Sequence, residues 1–261
     1  QIKQARADGR SALTEPEGKA LAAQFGLVVP QSVLVSPKED LRAALQGMSP
    51  PFVVKVVSPN ILHKSDAGGV KVGLTDHAAV SEAVQDMAAI PAIASANVEG
   101  YLVEEMAPAG QEIVIGGLND SQFGPMVMVG LGGVFVETLK DVAFRLCPIS
   151  EVDAHAMLAE LKGKAILEGA RGSQAVSLDA IVKALLNVGG KDGLMHRYGN
   201  DIEELDINPL IVNAESAVAV DARVILSAKP EPEATAQTND AVPPIERFRP
   251  LFEPKTIAVI G

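Results

Sequence analysis

ELDINPLIV at residues 204–212 and AVAVDAR at residues 217–223 are the most informative stretches of this chain. Asp206 and Asn208 are two positions apart, so on a strand their side chains point to the same face. Asp221 ends the second apolar run, and if the two runs pair, an amide oxygen and a carboxylate converge. Mg²⁺ prefers such oxygen ligands. The alternative is a hairpin with a wet polar face, but buried apolar runs seldom carry carboxylates without a partner, so the pattern favours a metal site.

Composition limits the possible functions. The 261 residues form one large domain or two, and an apolar content of 48% is sufficient for a sizeable core. The net charge of −11 and an aromatic content of only 3% argue against nucleic-acid binding, although local phosphate binding remains compatible with them. The single Cys147 excludes an internal disulfide and suits a reducing cytoplasm, and no apolar run is long enough to span a membrane.

Helix and strand signals intermingle along the chain, which predicts an α/β or α+β fold. Strand-like runs occur at residues 32–35, 52–57, 70–74, 101–106, 112–117, 125–130 and 143–146. Thr14 and Glu17 have capping-box spacing and predict a helix to Phe25. Ser36 and Glu39 have the same spacing and predict a helix through about Leu45. Further helices are expected at about residues 77–89, 150–162 and 178–188.

The C-terminal end differs in composition from the rest. Residues 229–244 are rich in Pro, Glu, Ala and Thr and have no apolar period, which indicates a linker. TIAVIG at residues 256–261 is an apolar strand ending in glycine, as at the beginning of a dinucleotide-type βαβ unit. Because the first residue is Gln1 rather than Met and the last strand stops where a phosphate turn would follow, we expect a fragment with a truncated second domain.

Candidate phosphate ligands lie in and after the strand at residues 52–57. Lys55 is inside this apolar strand and needs a partner, either a nucleotide phosphate or an acid on a neighbouring strand. Gly68 and Gly69, in the long loop that follows, permit backbone N–H groups to close over an anion. His63 in the same loop is a candidate for proton or phosphoryl transfer, although a solvated loop histidine is the commoner case.

Further candidates for nucleotide contacts are at strand ends. Glu104, Glu105 and Met106 end an apolar strand and offer backbone groups and a methionine surface to an adenine ring. The alternative is a strand end with exposed acids. Glu112 begins the next strand, where a ribose hydroxyl would be within its reach.

A glycine-rich turn and an arginine follow in the second half. The turn at residues 130–133 lacks the Gly-Lys-Ser/Thr ending of a P-loop, so a structural turn explains it equally well. Arg145, on the next strand, is a candidate catalytic residue that would bind phosphate through its two-pronged guanidinium. An ion pair with Glu137 or Asp141 is the alternative.

In this order the motifs resemble the ATP-grasp domain of the ADP-forming acyl-CoA synthetases and, more distantly, the nucleotide-binding β subunit of succinyl-CoA synthetase. The most specific motifs are VKV at 54–56, LHKSD at 62–66, GGV at 68–70, VEEM at 103–106 and LDINPL at 205–210 with Asp221. The resemblance covers about residues 13–226 and implies two α/β subdomains with the nucleotide bound between them.

The resemblance also implies a domain organisation. It places an N-terminal extension at residues 1–12 and an ATP-grasp domain at residues 13–228, with subdomains at about 13–106 and 107–228. A linker at residues 229–247 and the first strand of a Rossmann-like CoA-binding domain at residues 248–261 would follow.

The resemblance implies roles for individual residues. Lys55 is similar to the lysine that contacts the nucleotide phosphates, and the turn from Ser65 to Gly69 resembles the flexible glycine loop that covers them. The segment 104–106 resembles the hinge that holds adenine, and Glu112 stands where an acidic ribose or hinge contact is expected.

The same resemblance implies the metal ligands and the reacting groups. Asn208 and Asp221 match the Mg²⁺ ligands. Asp206 stands where succinyl-CoA synthetase has a glutamate that orients a phosphohistidine, and its side chain is shorter. His63 is similar to a histidine proposed as a second phosphoryl carrier in the ADP-forming acetyl-CoA synthetases.

The implied mechanism is a relay in which ATP drives the joining of an acid and CoA through an acyl phosphate and a phosphohistidine, with ATP (or ADP) and Mg²⁺ as cofactors. In this family the CoA-binding and ligase domains carry the principal histidine. We therefore expect this chain to need those domains, on the same or a partner chain, and to bind Mg·ATP without making acyl-CoA alone. Neither nucleic acid nor a membrane is an expected partner.

Two other functions are compatible with parts of the sequence. One is an ATP-grasp ligase that joins a carboxylate to an amine, against which His63 and the strand at residues 256–261 argue. The other is a non-catalytic nucleotide-sensing module of a protein acetyltransferase-like protein. In such modules the relay histidine can be missing, so its presence here favours an enzyme.

Overall fold

The computed structural model describes residues 1–61, 64–133, 140–169, 174–228 and Glu253. The helices in these ranges are α1 (Ile2–Ala7), α2 (Glu15–Gln24), α3 (Leu41–Ala44), α4 (His77–Ala89), α5 (Pro91–Ala94), α6 (Glu151–Glu160), α7 (Lys164–Leu167), α8 (Leu178–Gly189) and α9 (Leu194–Tyr198). The strands are β1 (Ser32–Val35), β2 (Phe52–Val57), β3 (Val70–Leu74), β4 (Gly100–Glu105), β5 (Gln111–Asp120), β6 (Gly124–Leu131), β7 (Val142–Leu146), β8 (Ile202–Val212), β9 (Ala217–Ala219) and β10 (Arg223–Leu226).

Residues 1–228 form one unit that contains two antiparallel sheets, and the predicted mixture of helices and strands is confirmed. The linker and the strand expected at residues 256–261 lie outside the described residues. Within the described ranges, no helix has both the length and the apolarity needed to cross a membrane.

The smaller sheet has the strand order β1-β4-β2-β3, and its hydrophobic core lies on one face. Alternation along β2 directs Val54 and Val56 into this core, beneath α3, α4 and α5. Lys55 therefore points to the opposite face. Glu104 on β4 is on the same face, because Lys55 lies opposite Leu102 and Glu104 is two residues further along. One face of this sheet is apolar and the other carries buried charge.

The larger sheet has the strand order β10-β8-β5-β6-β7, with β9 also paired to β8. Its core lies against α6, α8 and α9 and includes Leu205 and Ile207 from β8. The helix α8 meets this core with Ile181, Leu185 and Val188, whose spacing follows the helical repeat. The other face of the sheet, which carries the even-numbered Glu204 and Asp206 of β8, has no helix layer in the described residues.

The N-terminal segment belongs to the larger sheet, which corrects the predicted boundaries of an extension at residues 1–12 and a first subdomain at residues 13–106. Ile2, Ala5, Leu21 and Leu27 are all buried in the larger core. Backbone hydrogen bonds from Leu13 to Val224, from Leu226 to Ser11 and from Ala219 to Val28 attach this segment to β9 and β10. The chain therefore begins in the larger subdomain, forms the smaller one and returns, which local sequence patterns do not reveal.

One of the two predicted capping boxes begins its helix and the other does not. The Thr14 N–H donates to Glu17 at 2.8 Å, and α2 follows directly. The Ser36 N–H also donates to Glu39 at 3.0 Å, but the segment forms a turn, and α3 starts only at Leu41. Residues 36–40 are all exposed, so they lack the buried apolar face that stabilises most helices in proteins.

Candidate functional site

Asn208 lies on β8, and Asp221 lies in the short segment between β9 and β10, which both pair with β8. In the antiparallel register with β8, residues 210–212 pair with 217–219 and residues 204–206 pair with 223–225. The same register places Asn208 opposite Asp221. Residues directly opposite in an antiparallel pair have Cβ atoms about 4.5–5.5 Å apart on one face. The predicted pairing of the two runs is thus confirmed, and its register places Asn208 opposite Asp221.

A bulge in β8 follows Asn208, which lies on the face away from the core. Ile207 lies opposite Ile115 of β5, whereas Leu210 lies opposite Ile113, so one extra residue is accommodated at Asn208-Pro209. Ile207 and Leu210 are both fully buried, while Asn208 between them is exposed. Bulges are frequent next to functional sites because they change the direction of a side chain.

Asp206 shares the open face of β8 with Asn208. Burial raises the pKa of its carboxyl group, and the charges of Glu204 and Asp221 act in the same direction, while Arg223 opposes them. Arg223 lies directly opposite Asp206 but forms its ion pair with Glu204. Asp206 is therefore an acid that keeps its proton to a higher pH than an ordinary aspartate.

Lys55 connects the smaller sheet to the strand end that carries Asp221. Its Nζ lies 2.6 Å from a Glu15 carboxylate oxygen and 2.9 Å from Glu104, and it donates to the Val220 carbonyl at 2.6 Å. The alternative partner considered for this lysine, an acid on a neighbouring strand, is present as Glu104 on β4. Burial disfavours the charge of Lys55, but Glu15, Glu104 and Asp221 raise its pKa above the usual value.

Sequence reasoning missed three charged residues that surround Lys55, namely Glu15, Lys19 and Lys64. Lys19 pairs with Glu15 at 2.7 Å and with Glu104. Lys64 lies 2.6 Å from Glu15 and 3.6 Å from Asp221. The Glu15–Lys19 spacing of four residues within a helix was a local signal for one of these pairs. The remaining pairs join distant parts of the chain.

This charge cluster consists of Lys19, Lys55 and Lys64 with Glu15, Glu104 and Asp221, so its positive and negative charges balance. Burial opposes ionisation of Glu15, but the charges of Lys55, Lys19 and Lys64 outweigh it and lower the pKa to about 2. The members come from both subdomains, because α2 belongs to the larger core and β2 and β4 to the smaller one. The charge cluster therefore joins the subdomains next to Asp221.

A glycine permits α2 to approach the metal-ligand candidates. A Cβ atom on Gly18 would lie 2.3 Å from the Ala222 carbonyl oxygen, so any other residue there would separate α2 from the segment after Asp221. A cavity of about 460 Å³ opens beside this contact, and its wall includes Glu15, Lys64 and Asp221. It offers room for a ligand next to the charge cluster.

The predicted glycine loop forms a closed turn between β2 and β3. The Gly68 N–H donates to the Ser65 carbonyl at 3.1 Å and the Gly69 N–H to the Lys64 carbonyl at 2.7 Å. Gly68 has a φ of +71°, and a Cβ on Gly69 would lie 2.4 Å from a Val56 methyl group, so both positions require glycine. Ser65 is exposed at the tip.

The predicted hinge divides into a buried and an exposed part. The carboxylate of Glu104 is in the charge cluster, whereas Glu105 accepts from the Ser49 N–H at 2.7 Å. Met106 exposes 45% of its surface, which leaves an apolar side chain accessible to a ring. Glu112 is exposed at the start of β5, and its carbonyl accepts from the Gly132 N–H at 2.7 Å, so the glycine turn after β6 packs against it.

Arg145 lies on the opposite face of the larger sheet from Asp206, so the structure does not bring these two predicted catalytic residues together. It lies opposite Val127, which is buried in the core beneath the helices, whereas Asp206 lies on the other face of the sheet. Arg145 pairs with Glu160 of α6 rather than with Asp141, whose carboxylate accepts from backbone N–H groups. The alternation of strand side chains accounts for the separation. His63, like Glu137, lies outside the described residues.

The candidate metal site offers hard oxygen donors. In the described part of the chain, no group of three or more His, Cys, Asp or Glu side chains is arranged to hold a metal ion. Asn208 and Asp221 supply one amide and one carboxylate oxygen, a set that suits Mg²⁺, which commonly binds one or two protein groups and completes its shell with water and phosphate oxygens.

Comparison of the sequence with known proteins identifies an ATP-grasp domain over residues 4–226. The β subunit of ADP-forming acetate–CoA ligase I from Pyrococcus furiosus is 40% identical over 227 residues, which are 86% of this chain and 96% of that protein. The ADP-forming acetate–CoA ligase I of Archaeoglobus fulgidus is 37% identical over 80% of this chain, which corresponds to 30% of that protein. The chain is thus similar to a separate subunit and to part of a longer ligase.

A solved structure shows the same fold. Acetyl-coenzyme A synthetase 1 of Candidatus Korarchaeum cryptofilum, in complex with coenzyme A and Mg-AMPPCP, matches with a TM-score of 0.74 at 40% identity, covering 87% of this chain and 98% of that one. In that structure a phosphohistidine segment points towards the nucleotide-binding site.

Proposed function

The chain belongs to the ATP-grasp family of the ADP-forming acyl-CoA ligases, and from this premise we propose that it is the ATP-binding and phosphoryl-transfer part of such a ligase. The complete reaction joins an acid to CoA with conversion of ATP to ADP and phosphate, through an acyl phosphate and a phosphohistidine. The CoA-binding and ligase domains are provided by the same or a partner chain.

The pairing of Asn208 with Asp221 beside the charge cluster is the observation that carries this proposal. The register of β8 places Asn208 opposite Asp221, and Lys64, from the loop after β2 of the other subdomain, lies 3.6 Å from Asp221. A bound Mg²⁺ would supply positive charge that neutralises the phosphate oxygens of the nucleotide. Asn208 and Asp221 fit that ion because both offer hard oxygen ligands.

The lysines have the complementary task of binding the nucleotide phosphates. Lys55 is held by carboxylates and a carbonyl oxygen, so its ammonium group is fixed before the nucleotide arrives. Fixed cations stabilise developing charge in phosphoryl transfer without the cost of reorganisation. The loop from Ser65 to Gly69 covers the phosphates, and Asp206 orients the phosphoryl-carrying histidine.

The base and ribose are proposed to bind next to the hinge. Met106 provides an exposed apolar surface for the adenine ring, and Glu105 ends the strand beside it. Glu112 is exposed on the open face of β5, where its carboxylate can accept from a ribose hydroxyl.

Phosphoryl transfer to the chain is the direct test. We expect incubation with γ-labelled ATP and Mg²⁺ to give an acid-labile, base-stable label on the protein, and His63→Ala to abolish it. His155→Ala is the matched control, because His155 is exposed on α6 and lies outside the site. Label that survives in the His63 variant would refute the proposed relay.

Each rival function predicts a different outcome when labelling, ADP release and thioester formation are measured. A nucleotide-sensing module would bind Mg·ATP without taking up label. A carboxylate–amine ligase would release ADP only when an amine is added. Thioester formation by the chain without a CoA-binding partner would contradict its proposed role as one part of the enzyme.

A further inference from the structure

Glu15 is the carboxylate on which the charge cluster converges. One oxygen lies 2.7 Å from Lys19 Nζ and 2.6 Å from Lys55 Nζ, and the other lies 2.6 Å from Lys64 Nζ. The lysines come from α2, β2 and the loop after β2, so one side chain connects three elements. Glu15 has no role in the function proposed above.

The three lysines are held unequally. Lys55 and Lys19 each have Glu104 as a second carboxylate partner, whereas the second partner of Lys64 is Asp221, at 3.6 Å. Side-chain exposure rises from 4% for Lys19 and 10% for Lys55 to 18% for Lys64. Lys64 is therefore the most easily released of the three.

We propose that Glu15 is a positioning residue that stores Lys64 beside Asp221 and transfers it to the nucleotide phosphates when a divalent cation occupies Asp221. This inference rests on the proposed function of the site. A cation at Asp221 repels the Lys64 ammonium group, and phosphate oxygens attract it. Glu15 keeps Lys55 fixed during this exchange and competes with the phosphates for Lys64.

Two opposite effects follow from this competition. Glu15→Gln keeps the shape of the side chain and removes the competing charge, so we expect nucleotide to bind roughly three- to tenfold more tightly. The same substitution leaves Lys55 and Lys64 without their shared anchor, and misplaced catalytic groups slow a reaction strongly. We therefore expect phosphoryl transfer to be slower by about tenfold or more. A purely structural role would weaken both binding and transfer.

The experiment compares Glu15→Gln with Glu17→Gln in the complete 261-residue chain. Glu17 lies in the same helical turn and pairs with Arg10 outside the charge cluster, so it controls for charge and helix position. Calorimetric titration with Mg·ADP gives the affinity, and single-turnover labelling with ATP gives the rate. Circular dichroism establishes that each variant is folded.

The inference predicts tighter Mg·ADP binding and slower labelling for Glu15→Gln only. Equal behaviour of the two variants, or weaker binding by Glu15→Gln, would overturn it. If the unsubstituted chain binds no Mg·ADP, the proposed function itself fails, whereas normal binding without an effect of Glu15→Gln contradicts only the positioning role.

A second variant keeps the test decisive if Glu15→Gln does not fold. Lys64→Met removes the cation that stands beside Asp221, so we expect Mn²⁺ alone, followed by electron paramagnetic resonance, to bind more tightly. Mg·ADP should bind less tightly to the same variant, because one phosphate ligand is lost. Lys71→Met is the control, because Lys71 is exposed on β3 and lies outside the charge cluster. Unchanged Mn²⁺ affinity in Lys64→Met would overturn the proposed transfer of Lys64 from Asp221 to the nucleotide phosphates.

Discussion

Lys19→Met removes one cation from the centre of the buried charge cluster while retaining most of the apolar stem. Lys19 is 3% exposed and lies between Glu15 and Glu104. After the substitution Glu15 still has Lys55 and Lys64, but Glu104 has only Lys55. The cluster then carries an excess negative charge in a region from which water is largely excluded. We expect the folded state to be destabilised, because a buried carboxylate has lost a partner.

The magnitude follows from the number of partners that remain. Removal of one partner of a buried ion pair typically costs about 3–5 kcal/mol. Because Lys55 still contacts both glutamates, the lower end applies, and we expect a loss of about 3 kcal/mol in the free energy of unfolding. For a folded unit of this size, 1 kcal/mol shifts Tm by about 2–4 °C, so Tm should fall by about 6–12 °C.

Urea unfolding and thermal melts followed by circular dichroism measure this effect. The double variant Lys19→Met/Glu104→Gln removes a cation and an anion together, so it should be more stable than Lys19→Met alone. Lys183→Met is a matched control on the exposed side of α8 and should change stability by less than about 0.5 kcal/mol. Salt should leave the loss largely unchanged, because buried charges are weakly screened.

Two results would refute the reasoning. A cost below about 1 kcal/mol for Lys19→Met would show that the cluster is hydrated and behaves like a surface ion pair. A double variant that is no more stable than the single one would show that Glu104 does not depend on Lys19 for compensation.

Further predictions concern the approach of α2, the buried acid and the metal ligand. Gly18→Ala should lower stability by about 1–3 kcal/mol in urea unfolding, because its Cβ would lie 2.3 Å from the Ala222 carbonyl oxygen, although alanine is the better helix former. A gain in stability would contradict this close approach. Asp206→Asn should raise Tm near neutral pH, because burial raises the pKa of the aspartate despite the opposing charge of Arg223, and its ionised form is disfavoured in the fold. The gain should disappear as the pH falls through that raised pKa, and a gain that is independent of pH would be inconsistent with it. Asp221→Asn should weaken Mn²⁺ binding in the presence of ADP by at least about tenfold, measured by electron paramagnetic resonance. An unchanged affinity would show that Asp221 is not a metal ligand.

Local patterns were sufficient to predict much of the fold. The capping box at Thr14 and Glu17 and the alternating runs at residues 52–57 and 70–74 correspond to α2, β2 and β3. The pairing of the two runs around Asn208 and Asp221 was also predictable, because the connection between them is short. In each case the information lies within a few residues of sequence, where propensity and periodicity act.

Three features were not accessible in this way. The capping spacing at Ser36 gave a turn, because residues 36–40 bury no apolar surface. Arg145 and Asp206 each looked functional, and only the pairing of neighbouring strands shows that they lie on opposite faces of one sheet. The first 29 residues join the larger core through contacts with strands some 200 residues later in the chain.

The sequence by itself determined most of the elements and the positions of the oxygen donors on β8 and after β9, since side-chain direction alternates along a regular strand. Only the tertiary structure decided which charges meet. Glu15 contacts Lys55, 40 residues away, and Lys55 contacts the Val220 carbonyl, 165 residues away. Such contacts depend on how closely α2 approaches the strand end at Ala222, and that approach is set by packing of the whole fold around Gly18.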